Sequence, residues 1–340
     1  MANIDSKVRL DGLVRERYQV SWGKARGWIE TAKVWLDGRA LTDPALPMDP
    51  HALIELKMNA PKPKTLAMTA GESLNPRDVV YEDTQVIVVN KRAGINTVVF
   101  TASSSANGKH ESRKAKSAGA GIKEAVDPDS GSLEKQVCRY LDQARVRVVH
   151  RVDRETSGLV VFARTAEAEE RLAQQFRFHS VRRRYFALAH GWVKGGTIRS
   201  QLVENRGDGL RGSISKDSPL NRDLTQEAVT YVETLEASAE LSLIECRLET
   251  GRTHQIRIHL SEAGHPLLGE KAYIREYTQP LRPAPRLMLH AAELGFVHPT
   301  QDRPLRWTCL PPDDFMGMLA PALHARLEER LADPLERYRT

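Results

Sequence analysis

Hydrophobic positions near the start of the chain are spaced for helices and then alternate as strands. Val8, Leu10, Leu13 and Val14 fit one short helix, and Ala25, Trp28 and Ile29 fit a second that Ser21 is placed to cap. Val34-Trp35-Leu36 reads as a strand, Asp37-Gly38 as a hairpin turn and Ala40-Leu41 as the returning strand. Pro47, Asp49 and Pro50 mark another turn, and Ala52 to Leu56 reads as the strand that closes the unit. Beyond it Pro61, Pro63, Gly71 and Pro76 interrupt any period. The pattern predicts a first domain over 1–60, a linker over 61–77 and a larger domain over 78–340.

The larger domain opens with Val79-Val80-Tyr81 and Val86 to Val89, two strands about a Glu82-Asp83 turn. Residues 101–131 are rich in Ser, Ala, Gly and Lys and hold almost no large apolar residue, so they are expected to form a mobile insertion. Leu133, Val137, Tyr140 and Leu141 share one face of a short amphipathic helix. The run Leu159 to Ala163 reads as a buried strand. Thr165 can cap a helix with glutamates in its first turn, where the dipole favours them. Arg182 to Arg184 lead into a strand through Tyr185 to Ala189, and 195–225 reads as a polar excursion. Strands over Ala228–Val232 and Leu241–Leu248 follow, then a helix from near Thr253 that Gly264 and Pro266 end. A C-terminal helix is expected from Asp313.

Charge and composition narrow the picture. A net charge of +6 suits a polyanionic partner. Cys138, Cys246 and Cys309 are far apart and odd in number, so neither a zinc site nor a disulfide framework is implied. No window is long and apolar enough for a membrane span, and the N-terminal residues carry no signal-peptide pattern. A cytoplasmic monomer is expected.

The chemistry concentrates in His150-Arg151-Val152-Asp153-Arg154-Glu155-Thr156-Ser157-Gly158, which delivers one acid between two arginines to the edge of the Leu159–Ala163 strand. The flanking cations favour an ionised carboxylate, as a nucleophile aimed at an anionic polymer requires. Taken alone, such an Asp is more readily read as a structural ion pair than as a nucleophile. The full string resembles the catalytic motif of RluA-type pseudouridine synthases, with Val152 where that family usually has Leu. Three further segments resemble the family in its order. Tyr81-Glu82-Asp83 precedes a strand ending in Asn90-Lys91-Arg92-Ala93-Gly94; Arg184-Tyr185 opens a strand that ends at Gly191; and Gly251-Arg252-Thr253-His254-Gln255-Ile256-Arg257-Ile258-His259 follows. Gly269-Glu270-Lys271-Ala272-Tyr273 resembles its Gly-Asp-x-x-Tyr loop, with Glu270 for Asp. Arg9-Leu10-Asp11, Ser21 and Val34 to Gly38 resemble the αL-type RNA-binding domain of ribosomal proteins.

The resemblance implies an α+β fold: a mixed, mainly antiparallel sheet with an active site in a basic central cleft, behind a small α/β RNA-binding domain. It implies Asp153 as nucleophile, Tyr185 against the target base and Arg252 as the ion-pair partner of Asp153. Arg151 would fill the space of a flipped base, and Arg154, Lys91, Thr156, His254, Arg26 and Arg184 would contact RNA. His254 and His259 are five residues apart with no suitably spaced acid, so no metal is expected, and no cofactor is implied. The implied reaction turns uridine in structured RNA into pseudouridine, with ribosomal RNA of the large subunit favoured and tRNA the alternative. Addition to the uracil ring, attack at the sugar and a glycal route all remain open. A non-catalytic RNA-binding or ribosome-assembly protein on the same fold is the rival from another class, and a nucleoside hydrolase the rival reaction.

Overall fold

A computed structural model of the chain describes residues 8–44, 46–60, 74–98, 131–206, 209–214 and 225–332. Most of the expected linker and nearly all of the expected insertion lie outside these residues.

The N-terminal unit begins with strand β1 (Val8–Arg9), helix α1 (Leu10–Tyr18) and helix α2 (Trp22–Glu30). Ser21 caps α2 by accepting from the Lys24 amide. Strands β2 (Val34–Leu36) and β3 (Arg39–Leu41) form the hairpin about Asp37-Gly38, both with positive φ. Strand β4 (Pro47–Met48) pairs with β1, and β5 (Glu55–Leu56) pairs with β2. The expected strand over Ala52–Leu56 is thus only its last two residues: Leu53 points to solvent, and the pairing with β2 is made by Glu55 and Leu56. Leu10, Val14, Ala25, Ile29 and Val34 form a core of the unit's own. Inside it Asp11 is fully buried and holds Arg9 and Arg26 at 3.0 and 2.8 Å. Burial opposes ionisation of Asp11, and the two guanidiniums override it and lower its pKa.

The remaining elements are built on one sheet, 11-stranded among the described residues. Its strands are β6 (Val79–Glu82), β7 (Val86–Lys91), β8 (Arg147–Val148), β9 (Ser157–Ala163), β10 (Arg182–His190), β11 (Gly196–Val203), β12 (Gly212–Ser213), β13 (Gln226–Ala237), β14 (Leu241–Leu248), β15 (Leu289–Val297) and β16 (Pro304–Thr308). The main path runs β12-β11-β13-β14-β10-β15-β9-β7-β6, with β16 beside β15 and β8 beside β9. Every pairing is antiparallel except that of β9 with β15. That parallel crossing explains Gly158: at φ 113° a Cβ there would lie 2.2 Å from the Ala291 carbonyl oxygen. The eight-residue strand β11 occupies the first part of the expected polar excursion over 195–225, of which 207–208 and 215–224 lie outside the described residues. Thr197, Arg199 and Gln201 face solvent while Ile198, Ser200 and Leu202 turn inward, so the long polar residues populate the outer face of a strand near the sheet's edge.

Helix α3 (Leu133–Tyr140) and helix α5 (Gln255–Glu262) cover one face, burying Leu133, Val137, Ile256 and Leu260 on Val89, Val160, Ala187 and Ile244. Helix α4 (Ala166–Arg177), capped by Thr165, packs Ala168 and Leu172 against Val88, Leu159 and Val161. The C-terminal helix divides into a single turn α6 (Asp313–Met316) and α7 (Pro321–Ala332), whose Leu327 and Leu331 meet Phe186 and Leu188. Strand β10 is therefore buried on both faces, which decides the fate of its arginines. Arg184 falls on the α7 side, fully buried, 3.0 Å from Glu293 and 3.7 Å from Glu245. An arginine sealed in the core between two acids cannot touch RNA, so the expected contact at Arg184 is withdrawn.

Candidate active site

The loop 150–156 holds Asp153 by its neighbours. His150 Nε2 accepts the Val161 amide at 3.0 Å and its ring stacks on Phe176 at 4.6 Å, tying the loop's start to β9 and α4. Burial pushes the His150 pKa down to about 3, so the ring stays neutral and able to accept. Val152 is pinned on both its amide and carbonyl by the Thr97 hydroxyl. The Arg154 carbonyl receives the Gly94 amide at 2.8 Å and Lys91 Nζ at 3.0 Å. The residues on either side of Asp153 are thus fixed to the β7–α3 segment, while its carboxylate is left facing a cavity.

That cavity, about 440 Å³, brings together Arg151, Asp153, Thr156, Tyr185, Arg252 and His254 of the residues expected in the site. Arg151 is exposed at its mouth. Thr156 Oγ1 is buried without a hydrogen-bond partner among the described residues. Tyr185 projects from β10, and burial raises the pKa of its phenol further, so it is protonated at neutral pH. A second cavity of about 640 Å³ meets the first at Asp153, His254 and Arg257, and Arg9 and Arg26 of the N-terminal unit line its far side.

The partner of Asp153 differs from the expectation. Arg257 Nη1 lies 3.5 Å from Asp153 Oδ2. Arg252 instead donates through Nε to the Glu227 carbonyl at 2.9 Å. The cause is where helix α5 begins. His254 adopts a left-handed conformation, φ 60°, so the helix starts at Gln255 and not near Thr253. Arg252 then lies outside the helix against β13, while Arg257 lies in its first turn and projects at the carboxylate. His254 Nε2 comes within 3.9 Å of Asp153 Oδ1, and Nδ1 is 2.7 Å from the Tyr273 hydroxyl. Burial among its neighbours pushes the His254 pKa down to about 4, against the pull of Asp153, so this is a neutral imidazole beside a carboxylate.

Two further expectations change. Lys91 is buried and gives its ammonium to three carbonyls, those of Arg92, Ile95 and Arg154, at 2.9 to 3.0 Å. It braces the Asp153 loop from behind and does not face RNA. Burial pushes its pKa down to about 7. Arg26 is tied to Asp11 and to the Gly209 carbonyl at 3.1 Å, which joins the two units. Arg154 remains half-exposed, with Nε on the Gly94 carbonyl. Arg257, Glu270 and Tyr273 are the site residues the sequence reading missed; the acid-and-tyrosine loop after the Arg-rich motif was the available signal. Among the described residues no group of His, Cys, Asp and Glu is arranged to hold a metal ion, and no helix is long and apolar enough to cross a membrane.

The geometry can be set beside known proteins. Residues 85–262 match the family model described as RNA pseudouridylate synthase. The chain is 31% identical over 332 residues to the ribosomal large subunit pseudouridine synthase D of Xylella fastidiosa, covering 92% of this chain and 88% of the relative. It is 31% identical over 324 residues to the protein of that name from Vibrio parahaemolyticus, covering 91% and 89%. Among solved structures, human RNA pseudouridylate synthase domain containing 1 is similar in fold, with a TM-score of 0.52, 22% identity, and 78% and 96% coverage. With the motif order, the loop-borne aspartate and the mixed sheet all in agreement, the chain belongs to the RNA pseudouridylate synthase family.

Proposed function

We propose that this enzyme isomerises uridines of large-subunit ribosomal RNA, with Asp153 as the nucleophile. The bond from uracil nitrogen 1 to the ribose is broken, the base turns, and carbon 5 is joined in its place, with one proton leaving carbon 5 and one gained at nitrogen 1. The observation that carries this reading is the placement of Asp153. Its backbone neighbours are pinned, and its carboxylate faces Tyr185 across a cavity of about 440 Å³, within the range of ligand sites. A uracil in a helix is out of reach, so the nucleotide is flipped into this cavity. Tyr185 stacks on the base; its protonated phenol supports stacking and hydrogen bonding over proton removal from carbon 5. Thr156 Oγ1, buried and unpaired among the described residues, suits a contact to the nucleotide. Arg151 fills the gap left in the helix, while Arg252 and Arg154 contact neighbouring phosphates.

The names of the relatives support the large-subunit target. The N-terminal unit supplies additional RNA contacts, and the enzyme works in the cytoplasm as a monomer. Release of tritium from carbon-5-labelled ribosomal RNA reports each turnover. Wild-type protein is expected to release it, and to leave the mass of unlabelled RNA unchanged. Free uracil among the products would replace isomerisation with hydrolysis.

A further inference from the structure

Glu270 lies beside Asp153's partner Arg257 and is held on both carboxylate oxygens. Its side chain is fully buried. Its carboxylate makes a two-pronged pair with Arg257, Oε2 receiving Nε and Oε1 receiving Nη2, each at 2.7 Å. Oε1 also accepts the amides of Lys271 and Ala272 at 3.0 and 2.8 Å. The turn that presents it is fixed by Gly269, where φ is 77° and a Cβ would lie 1.8 Å from the Arg286 carbonyl oxygen. Arg257 is thereby committed on two of its three nitrogens. The third, Nη1, is the one that reaches Asp153, at 3.5 Å.

This division has a chemical consequence. A guanidinium free to turn would put its fork on Asp153 and occupy the lone pairs that a nucleophile needs. With the fork taken by Glu270, Asp153 receives the positive charge through one long contact and keeps an oxygen available. We propose that Glu270 is a positioning residue that locks Arg257, so that Arg257 orients Asp153 without sequestering it. The proposal rests on Asp153 acting as nucleophile. It assigns Glu270 an effect on the chemical step and none on RNA affinity, since Glu270 is sealed from the cavity surface.

The test is a double-mutant cycle on the single-turnover rate at saturating RNA. Glu270→Gln is expected to lower that rate by about 100-fold while leaving the RNA dissociation constant within about threefold. Glu270→Asp, which keeps the charge and the fork, should recover to within about tenfold of wild type. Made in an Arg257→Lys background, Glu270→Gln should cost less than about threefold, because its target is already gone. Additive losses would overturn the proposal, as would weakened RNA binding at an unchanged rate. Should Glu270→Gln fail to fold, Glu270→Asp takes its place in the cycle: its smaller loss should vanish in the Arg257→Lys background, and an equal loss in both backgrounds overturns the proposal. Solvent exchange of the Arg257 Nε–H, followed by NMR, needs no turnover. Slow exchange in the wild type that quickens in the Glu270 variant is expected, and equal exchange in the two overturns the lock. A wild type that forms no pseudouridine would instead count against the reaction, and the exchange measurement still judges the lock.

Discussion

At the scale of single residues, the site works by fixing backbone around one free carboxylate. Asp153 makes few contacts of its own, while Thr97 and Lys91 hold the residues before and after it. Lys91→Met would remove a donor from the Arg92, Ile95 and Arg154 carbonyls, of which that of Arg154 keeps the Gly94 amide, at roughly 1–3 kcal/mol for a group left unsatisfied. The variant is expected to lower the thermal midpoint and to slow single turnover; unchanged values of both would show that the loop is held elsewhere. The ion pair gives a sharper contrast. Arg257→Lys keeps charge but loses the fork on Glu270, whereas Arg252→Lys disturbs a bond to the Glu227 carbonyl and keeps the charge offered to phosphates. Arg257→Lys should therefore lose single-turnover rate by at least about tenfold more than Arg252→Lys. The reverse order would restore Arg252 to the role the motif suggested. The placement of Asp153 and Tyr185 in one cavity was legible in the sequence because each sits in a short string whose neighbours are local. Which of two arginines five residues apart meets Asp153 was not, since it depends on a single left-handed residue, His254, that delays the helix.

At the scale of elements, the pattern of buried runs predicted strands well, as in β9 and β14, and caps marked helices, as at Ser21 and Thr165. It failed for β11, where one face is polar and reads as loop. It also failed for Arg184, because burial of both faces of β10 depends on α7, some 140 residues later in the chain. Several imidazoles are built into these junctions as neutral acceptors or donors. His259 bridges Ser200 and Thr230, and His290 meets Ser157. Burial pushes both of their pKa values down to about 4. An unfolded imidazole takes its proton near 6.5, so between about 6.5 and 4 the unfolded chain binds more protons than the folded one. The stability these groups contribute is complete above that window and is lost as pH falls through it. The thermal midpoint should drop from pH 7 to pH 5, and His259→Asn should flatten the slope. A midpoint independent of pH over this range would contradict the buried neutral assignment.

At the scale of the whole molecule, the N-terminal unit docks beside the site. Arg9 donates to the Ala272 carbonyl at 3.1 Å, Arg26 to that of Gly209, and a Cβ on Gly209 would strike the Trp22 ring at 2.4 Å. The two units thus enclose the second cavity, with Asp153 at its meeting point with the first. The sequence indicated two units, and their mutual placement depends on contacts between residues as far apart as Arg9 and Ala272. Deleting residues 1–60 is expected to weaken binding of long RNA by about tenfold or more and to reduce its salt dependence. The rate on a saturating short substrate should fall less. Equal losses in both would make the unit part of the catalytic fold.

The central claim, that Asp153 performs the isomerisation on large-subunit RNA, is tested most directly by mapping pseudouridine in that RNA from cells lacking the gene. Restoring the wild-type chain should restore specific modified positions, and restoring Asp153→Asn at equal abundance should leave them as uridine. Modification returned by the Asn variant to within about tenfold of wild type would remove Asp153 from the chemistry.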